Sequence, residues 1–368
     1  MSDPPAILQV LPALVSGGVE RGTVEITAAL VQAGFRALVA SAGGPLVAEV
    51  EAAGGRHVTL PLGGKTPWGL AANALALARL LRQEDVAILH ARSRAPAWAG
   101  WLATRAAGAH FITTYHGAYN EGFVGKRLYN SVMARGERVI AISGFIRDLI
   151  LERHHIDPAR IRLIPRGMDP MLFDPSRAAP ERFGLPASTK ILLLPARLTR
   201  WKGQAVAVRA LAALPEEVVL VLAGGDAGGG FAGELRALAA SLGVGQRLHL
   251  AGHLADLAPA LAGADVVLHA STDPEAFGRT VIEAQAMARI VIAADLGAPR
   301  ETVTEGVTGF RTPPGDPAAL AAAIGRVLAM PDAARLAMGE AARAAVLAQN
   351  TTAAMQAATL AVYREVLA

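Results

Sequence analysis

Apolar residues along this chain come in two alternating rhythms. Short runs such as Ala6-Ile7-Leu8-Gln9-Val10-Leu11 and Val218–Ala223 are apolar almost throughout, which predicts strands buried on both faces. Between such runs lie stretches with apolar positions three and four apart, among them Val19–Gln32, Ala318–Ala329, Ala333–Ala348 and Thr351–Leu367, which predict amphipathic helices. Further strands are expected at Ala37–Ala42, His57–Leu62, Val86–His90, Phe111–Tyr115, Val139–Ser143 and Ile161–Pro165. A second series starts at Lys190–Ala196 and continues at Val218–Ala223, Leu248–Ala251, Val266–Ala270 and Val291–Ala294. Strands alternating with helices at this spacing predict parallel sheets covered on both faces. Two such series in succession, in a chain of 368 residues, predict two doubly wound α/β domains whose strand ends can face one cleft.

Composition narrows the picture. There is no cysteine, so disulfides and thiolate metal sites are excluded and a reducing compartment, the cytoplasm, is expected. The opening Met1-Ser2-Asp3-Pro4-Pro5 carries an acid and no basic region, which does not read as a signal peptide. No uncharged apolar stretch approaches the ~20 residues that span a bilayer. Net charge is only +4, but Lys126 to Arg166 holds nine basic residues (Lys126, Arg127, Arg135, Arg138, Arg147, Arg153, Arg160, Arg162, Arg166) against four acids (Glu137, Asp148, Glu152, Asp157). Such an excess suits an anionic surface or substrate, and solvated helix faces would account for it equally. Nucleic acid fits less well, because no aromatic-basic platform accompanies the charge.

In parallel α/β sheets ligands bind at the carboxyl ends of the strands, so the residues there carry the candidate chemistry. After Val266–Ala270 comes Asp273-Pro274-Glu275-Ala276-Phe277-Gly278-Arg279-Thr280-Val281-Ile282-Glu283-Ala284. Glu275 falls in the loop and Glu283 in the following helix, with the amides of residues 277 to 280 between them. Free amides at a helix start suit phosphate, and carboxylates suit sugar hydroxyls, a combination that matches a nucleotide sugar. A loop acid and a solvated helix acid would give the same spacing. After Ile191–Ala196 comes Arg197-Leu198-Thr199-Arg200-Trp201-Lys202-Gly203, where Arg197 and Lys202 flank a tight loop as a diphosphate requires, or form a basic surface loop. In the first series, Ser16-Gly17-Gly18 opens a helix and allows close backbone approach, yet is neither a dinucleotide fingerprint nor a Walker loop. Arg92 and Arg94 end the fourth strand, near the cleft edge. His116, in Thr114-Tyr115-His116-Gly117, ends the fifth, and Ser143 is placed to cap the helix after the sixth.

The order Arg197-Leu198-x3-Lys202-Gly203 followed by Glu275-x-Phe277-Gly278-x4-Glu283-Ala284 resembles the paired signature of retaining glycosyltransferases of family 4, which have the GT-B fold. Ile164-Pro165-Arg166-Gly167-Met168-Asp169 through Phe173 resembles that family's hinge, with Arg166 in place of its usual Asn and Met168 in place of its Val. The resemblance implies an acceptor domain over residues 1–168, completed by helix 351–368 crossing back, and a donor domain over 169–350. It implies that Gly17 and Gly18 face the donor diphosphate and acceptor, and that His116 orients the transferred sugar. Glu275 would hold that sugar's hydroxyls, Glu283 the ribose, and His253 and Leu254 would lie along the base. Phe277, Gly278, Arg279 and Thr280 complete the donor set, while Arg92 and Arg94 would meet the acceptor. No Asp-x-Asp is present, so Arg197, Lys202 and the helix amides would carry the leaving group's charge without a metal or cofactor. The opening Val10 to Gly22 resembles bacterial lipopolysaccharide core transferases, implying a cell-envelope glycan or lipid acceptor and peripheral contact with the anionic inner membrane. A GT-B-type sugar-nucleotide 2-epimerase and a noncatalytic nucleotide-sugar-binding protein stay open as alternatives. Nothing in the sequence separates UDP from GDP, or glucose from mannose.

Overall fold

The computed structural model describes residues 4–15, 17–226 and 228–368, with only the backbone for Val124; Met1 to Asp3 and Ser16 of the opening glycine loop lie outside the described residues. The chain divides into two compact units, Met1–Arg166 with Thr352–Ala368 and Gly167–Thr351.

Unit 1 holds seven strands: β1 (Ala6–Val10), β2 (Arg36–Ser41), β3 (Arg56–Thr59), β4 (Val86–Ala91), β5 (His110–Tyr115), β6 (Arg138–Ala141) and β7 (Ile161–Leu163). They pair in parallel in the order β3-β2-β1-β4-β5-β6-β7. The connections carry α1 (Gly18–Gln32), α2 (Val47–Ala52), α3 (Pro67–Gln83), α4 (Arg94–Ala107), α5 (Val124–Asn130) and α6 (Gly144–Arg153). Predicted strand His57–Leu62 ends early, at Thr59, because Pro61 has no N–H to give the ladder. Predicted strand Val139–Ser143 ends at Ala141, because Ser143 turns to cap α6 by accepting from the Ile146 N–H.

Unit 2 holds β8 (Lys190–Pro195), β9 (Val218–Ala223), β10 (Leu248–Gly252), β11 (Val266–His269), β12 (Val291–Ala294) and β13 (Gly309–Thr312), parallel in the order β10-β9-β8-β11-β12-β13. Its helices are α7 (Gln204–Leu211), α8 (Phe231–Ser241), α9 (Ala258–Gly263), α10 (Arg279–Ala286), α11 (Pro299–Thr302), α12 (Pro317–Leu328) and α13 (Asp332–Gln349). β13 has no counterpart among the predicted strands, since it is four residues long and begins at a glycine. Strands β8 and β9 are buried almost end to end, as their unbroken apolar runs require.

In both sheets the strand order reverses once, between β1 and β4 in unit 1 and between β8 and β11 in unit 2. The loops leaving those two strands diverge, so each sheet has its ligand-binding edge there. The helix that follows unit 2 in sequence, α14 (Thr352–Leu367), is part of unit 1. It packs on α1, where Met355, Val362 and Tyr363 join a core with Ile7, Ile26, Leu30 and Ile88.

Candidate functional site

In unit 2 two loops at the reversal point are tied together by backbone. After β8 the chain makes one 3-10 turn, Arg200–Lys202, and leaves it through Gly203 with φ of 74°. A methyl group at Gly203 would sit 1.8 Å from the Ala270 carbonyl oxygen, so only glycine lets this loop close on the end of β11. The Thr272 N–H donates to the Trp201 carbonyl at 2.8 Å. Glu275 is held by a bridge to Gly297, and its carbonyl accepts from the Ala298 N–H at 2.9 Å. Residues 73 apart in sequence therefore meet. Lys202 Nζ lies 2.5 Å from Glu275 Oε1, with side chains only 17% and 11% exposed.

Two residues that sequence reasoning missed complete this cluster. Ser271 Oγ donates to the same oxygen at 2.5 Å, and His269 Nε2 lies 2.8 Å from it. The available signal was polarity at the end of an apolar strand, Val266-Val267-Leu268-His269. Burial alone would raise the Glu275 carboxyl, but His269 and Lys202 outweigh it and hold the group well below the usual carboxylate range. Glu275 is thus an anion surrounded by donors.

The remaining candidates of unit 2 are placed unevenly. Arg197 is exposed, and its carbonyl accepts from Gln204 Nε2 at 2.9 Å. Gly278 caps α10 in the left-handed region, and Arg279 and Thr280 form the first helical turn. Glu283 lies one turn on, 3.4 Å from Arg279 Nε. The Phe277 ring is 6% exposed and belongs to the core, so it is the backbone of this residue, as expected for the amides of residues 277 to 280, that faces outward to a ligand. His253 is exposed and Leu254 half-buried, in the loop after β10.

In unit 1, Gly17 precedes α1 and the Gly18 carbonyl accepts from Arg166 Nη2 at 2.6 Å. Arg166, the departure from the family's hinge pattern, is 5% exposed and lies 3.7 Å from Glu25 Oε2. It packs flat against Gly22, where a methyl group would collide with its guanidinium at 2.1 Å. Arg92 lies deeper than its place at a strand end suggests: it is 2% exposed, and its Nε donates to Gln9 Oε1 at 2.8 Å inside the unit. It lines a small cavity with His90, Thr114 and Arg166. Arg94 is half-buried, donating to Asn130 Oδ1 at 2.8 Å and stacking 4.2 Å from the Tyr119 ring.

Polar side chains at the ends of β4 and β5 form a chain missed by the sequence reading. His90 is fully buried, with Nδ1 2.6 Å from the Tyr363 hydroxyl and Nε2 2.6 Å from Thr114 Oγ1. Two residues beyond Thr114, His116 Nε2 is buried with no hydrogen-bond partner among the described residues. Burial, with Arg166, Arg92 and His90 nearby, pushes His116 well below the ordinary histidine value, so its imidazole is neutral.

The basic excess between Lys126 and Arg166 is mostly paired within the unit, on half-buried side chains. Arg138 and Arg162 clamp Glu365, Arg160 donates to the Gly136 carbonyl, and Arg153 donates to the Tyr119 carbonyl at 2.6 Å. Arg135 stacks on Trp98 and Trp101. The exposed cations are Lys126, Arg127 and Arg147. Among the described residues no group of three or more His, Asp or Glu side chains could hold a metal ion, and no helix is long and apolar enough to cross a membrane.

Comparison with known proteins bears on this arrangement. Residues 16–172 match the model described as Glycosyltransferase Family 4, and residues 176–345 match Glycosyl transferases group 1. A solved glycosyltransferase from Rickettsia africae ESF-5 superposes with a TM-score of 0.91 at 36% identity, over 100% of this chain and 99% of that one. The chain belongs to the family 4, group 1 glycosyltransferases of GT-B fold. Within that family, the D-inositol 3-phosphate glycosyltransferase of Xylanimonas cellulosilytica is 34% identical over 278 residues, 67% of this chain and 64% of that protein. Its counterpart from Salinispora tropica is 30% identical over 332 residues, covering 80% and 68%. The chain thus spans about two thirds of the length of these curated relatives. HepE of Anabaena, solved with UDP and glucose, shares the fold with a TM-score of 0.86 at 24% identity, over 97% of this chain and 99% of that one.

Proposed function

We propose that this chain is a retaining, metal-independent hexosyltransferase that uses a nucleotide-diphosphate sugar. The observation that carries the reading is the Lys202–Glu275 cluster at the reversal point of the unit 2 sheet, beside the first turn of α10. Glu275, ionised and surrounded by donors, is suited to accept from hexose hydroxyls, and Glu283 from the ribose. Lys202, Arg197 and the amides of residues 278 to 280 would take up the charge that develops on the departing diphosphate. In the reaction the acceptor oxygen bonds to the anomeric carbon on the face from which the β-phosphate oxygen leaves. That oxygen takes the acceptor's proton, so the nucleoside diphosphate departs and configuration is kept. His116, neutral, would orient the sugar by hydrogen bonding rather than by charge.

Fold neighbours solved with UDP and with UDP-glucose make uridine nucleotides the first donors to test. The curated relatives are named for D-inositol 3-phosphate, which favours an anionic, hydroxyl-bearing acceptor as the class, with a lipid-linked envelope saccharide as one member. Phe123 and Leu128, each 62% exposed, flank Lys126 and Arg127 at α5, an apolar and basic patch suited to an anionic membrane surface. Flotation with anionic vesicles at low salt tests this, and failure to float counts against it.

The deciding experiment is a thermal-shift screen with UDP, GDP, ADP and their hexose derivatives, with and without EDTA, followed by turnover. Stabilisation by one nucleotide that survives EDTA is expected, together with loss of turnover in folded Lys202→Ala or Glu283→Ala. Near-normal turnover in either variant would overturn the assigned roles. Release of free sugar in the absence of acceptor would favour an epimerase instead.

A further inference from the structure

The loop after β11 sets more donors around Glu275 than one oxygen can use. Lys202 Nζ and Ser271 Oγ each lie 2.5 Å from Oε1, and His269 Nε2 lies 2.8 Å from the same atom. His269 is 6% exposed, and neither ring nitrogen makes an aligned hydrogen bond among the described residues. A buried imidazole at contact distance but out of alignment is an unusual state, since buried polar groups are nearly always hydrogen-bonded. Its ring also borders the start of α10, because a methyl group on Gly278 would stand 3.5 Å from Nε2.

Lys202 has two claims on it. In this structure it neutralises Glu275, whereas the proposed function needs it on a diphosphate. Its ammonium is compact and sits on a flexible stem, so it can swing between the two. A carboxylate that is only 11% exposed cannot lose its cation without a replacement, because an uncompensated buried charge is strongly destabilising.

We propose that His269 is a positioning residue that takes over Glu275 Oε1 when a diphosphate draws Lys202 away. The inference rests on Lys202 being a diphosphate ligand. Ser271 keeps its bond throughout, and the imidazole moves from contact into alignment on the oxygen that the ammonium vacates. Glu275 stays fixed for the sugar hydroxyls while Lys202 changes partner, and His269 thereby sets how tightly diphosphates bind.

The test is calorimetric titration of UDP, GDP and ADP into the full chain and its variants. His269→Leu is expected to weaken binding of the preferred diphosphate about tenfold, within the range for side chains sharing one hydrogen-bond network. His269→Gln, which keeps a donor, is expected to lose less than about threefold on the same basis. In a Glu275→Gln background, where no carboxylate holds the ammonium, His269→Leu is expected to cause no further loss. His269→Ala, which removes the imidazole without adding apolar bulk, is expected to weaken binding to a similar degree, and covers the case in which His269→Leu fails to fold. Unchanged affinity in both His269→Leu and His269→Ala overturns the proposal, as does an equal loss from His269→Leu in the Glu275→Gln background. A wild-type chain that binds none of the three diphosphates overturns the reading of Lys202 itself, and the proposal with it.

Discussion

Replacing Tyr363 with phenylalanine removes a single oxygen from the interior of unit 1. That hydroxyl is 2.6 Å from His90 Nδ1 and is also hydrogen-bonded by the Arg92 guanidinium. The ring itself is fully buried among Ile7, Ile88 and Met355, and the substitution keeps those contacts. What changes is that an imidazole nitrogen and a guanidinium N–H lose their partner inside the unit. Each buried group left unsatisfied costs about 1–3 kcal/mol, so the expected loss for the two is about 2–6 kcal/mol. For a unit of this size each kcal/mol moves the midpoint by about 2–4 °C, so unit 1 is expected to melt between about 4 and about 24 °C lower. Differential scanning calorimetry of the full chain measures this directly. Arg364→Ala, on the exposed face of the same helix, is the control and is expected to stay within about 0.5 kcal/mol of wild type. A Tyr363→Phe shift below about 2 °C would refute the argument, and would mean that the hydroxyl adds nothing to the docking of α14.

Gly203→Ala should cost more than about 2 kcal/mol, since it combines a positive φ with a collision at the Ala270 carbonyl. It is expected to abolish nucleotide stabilisation in the thermal-shift assay while circular dichroism stays near wild type. His90 and His116 both titrate well below 6.5 when folded, so below that pH the unfolded chain binds more protons and stability falls on acidification. Urea unfolding at about pH 5.5 should show a loss of about 1.4 kcal/mol per group relative to about pH 7.5, and His116→Asn should remove about half of the total. Glu365 is held at about 2 by Arg162 and Arg138, so its contribution is complete above 4.5 and disappears as pH falls through about 2. Because that site is partly exposed, Glu365→Gln is expected to lose less than about 1 kcal/mol at neutral pH by thermal melting, with the difference closing in acid.

The alternation of apolar runs with helical spacing was enough to expose the two doubly wound sheets, because a strand covered on both faces has little freedom of composition. Lys202 and Glu275 were legible for a related reason. Both sit in loops at strand ends, where polar residues in a fixed order stand out against apolar surroundings. Their direct pairing was not legible, since it depends on Gly203 closing against Ala270 and on the Thr272–Trp201 bond, contacts between segments some 70 residues apart. The depth of Arg92 was not legible, because a guanidinium at a strand end usually reaches solvent. Its burial depends on Gln9 of β1 and Tyr363 of α14, neither of them near in sequence. His269 and His90 share one disguise, a histidine closing an apolar strand, and nothing local tells a core histidine from one beside a carboxylate.

The placement of α14 has a consequence for how the chain is made. A ribosome delivers residues 4–166 first, then the 185 residues from 167 to 351, and only then the segment that covers Ile26 and Leu30 on α1. At about 5–20 residues per second, unit 1 waits roughly 10–40 seconds with that apolar face bare and His90 lacking its tyrosine. Unit 2 is continuous in sequence and has no such delay. Chaperone binding to nascent chains should therefore peak on the amino-terminal unit and end when residue 363 emerges. A chain ending at residue 351 would leave its first half, not its second, as the part that aggregates.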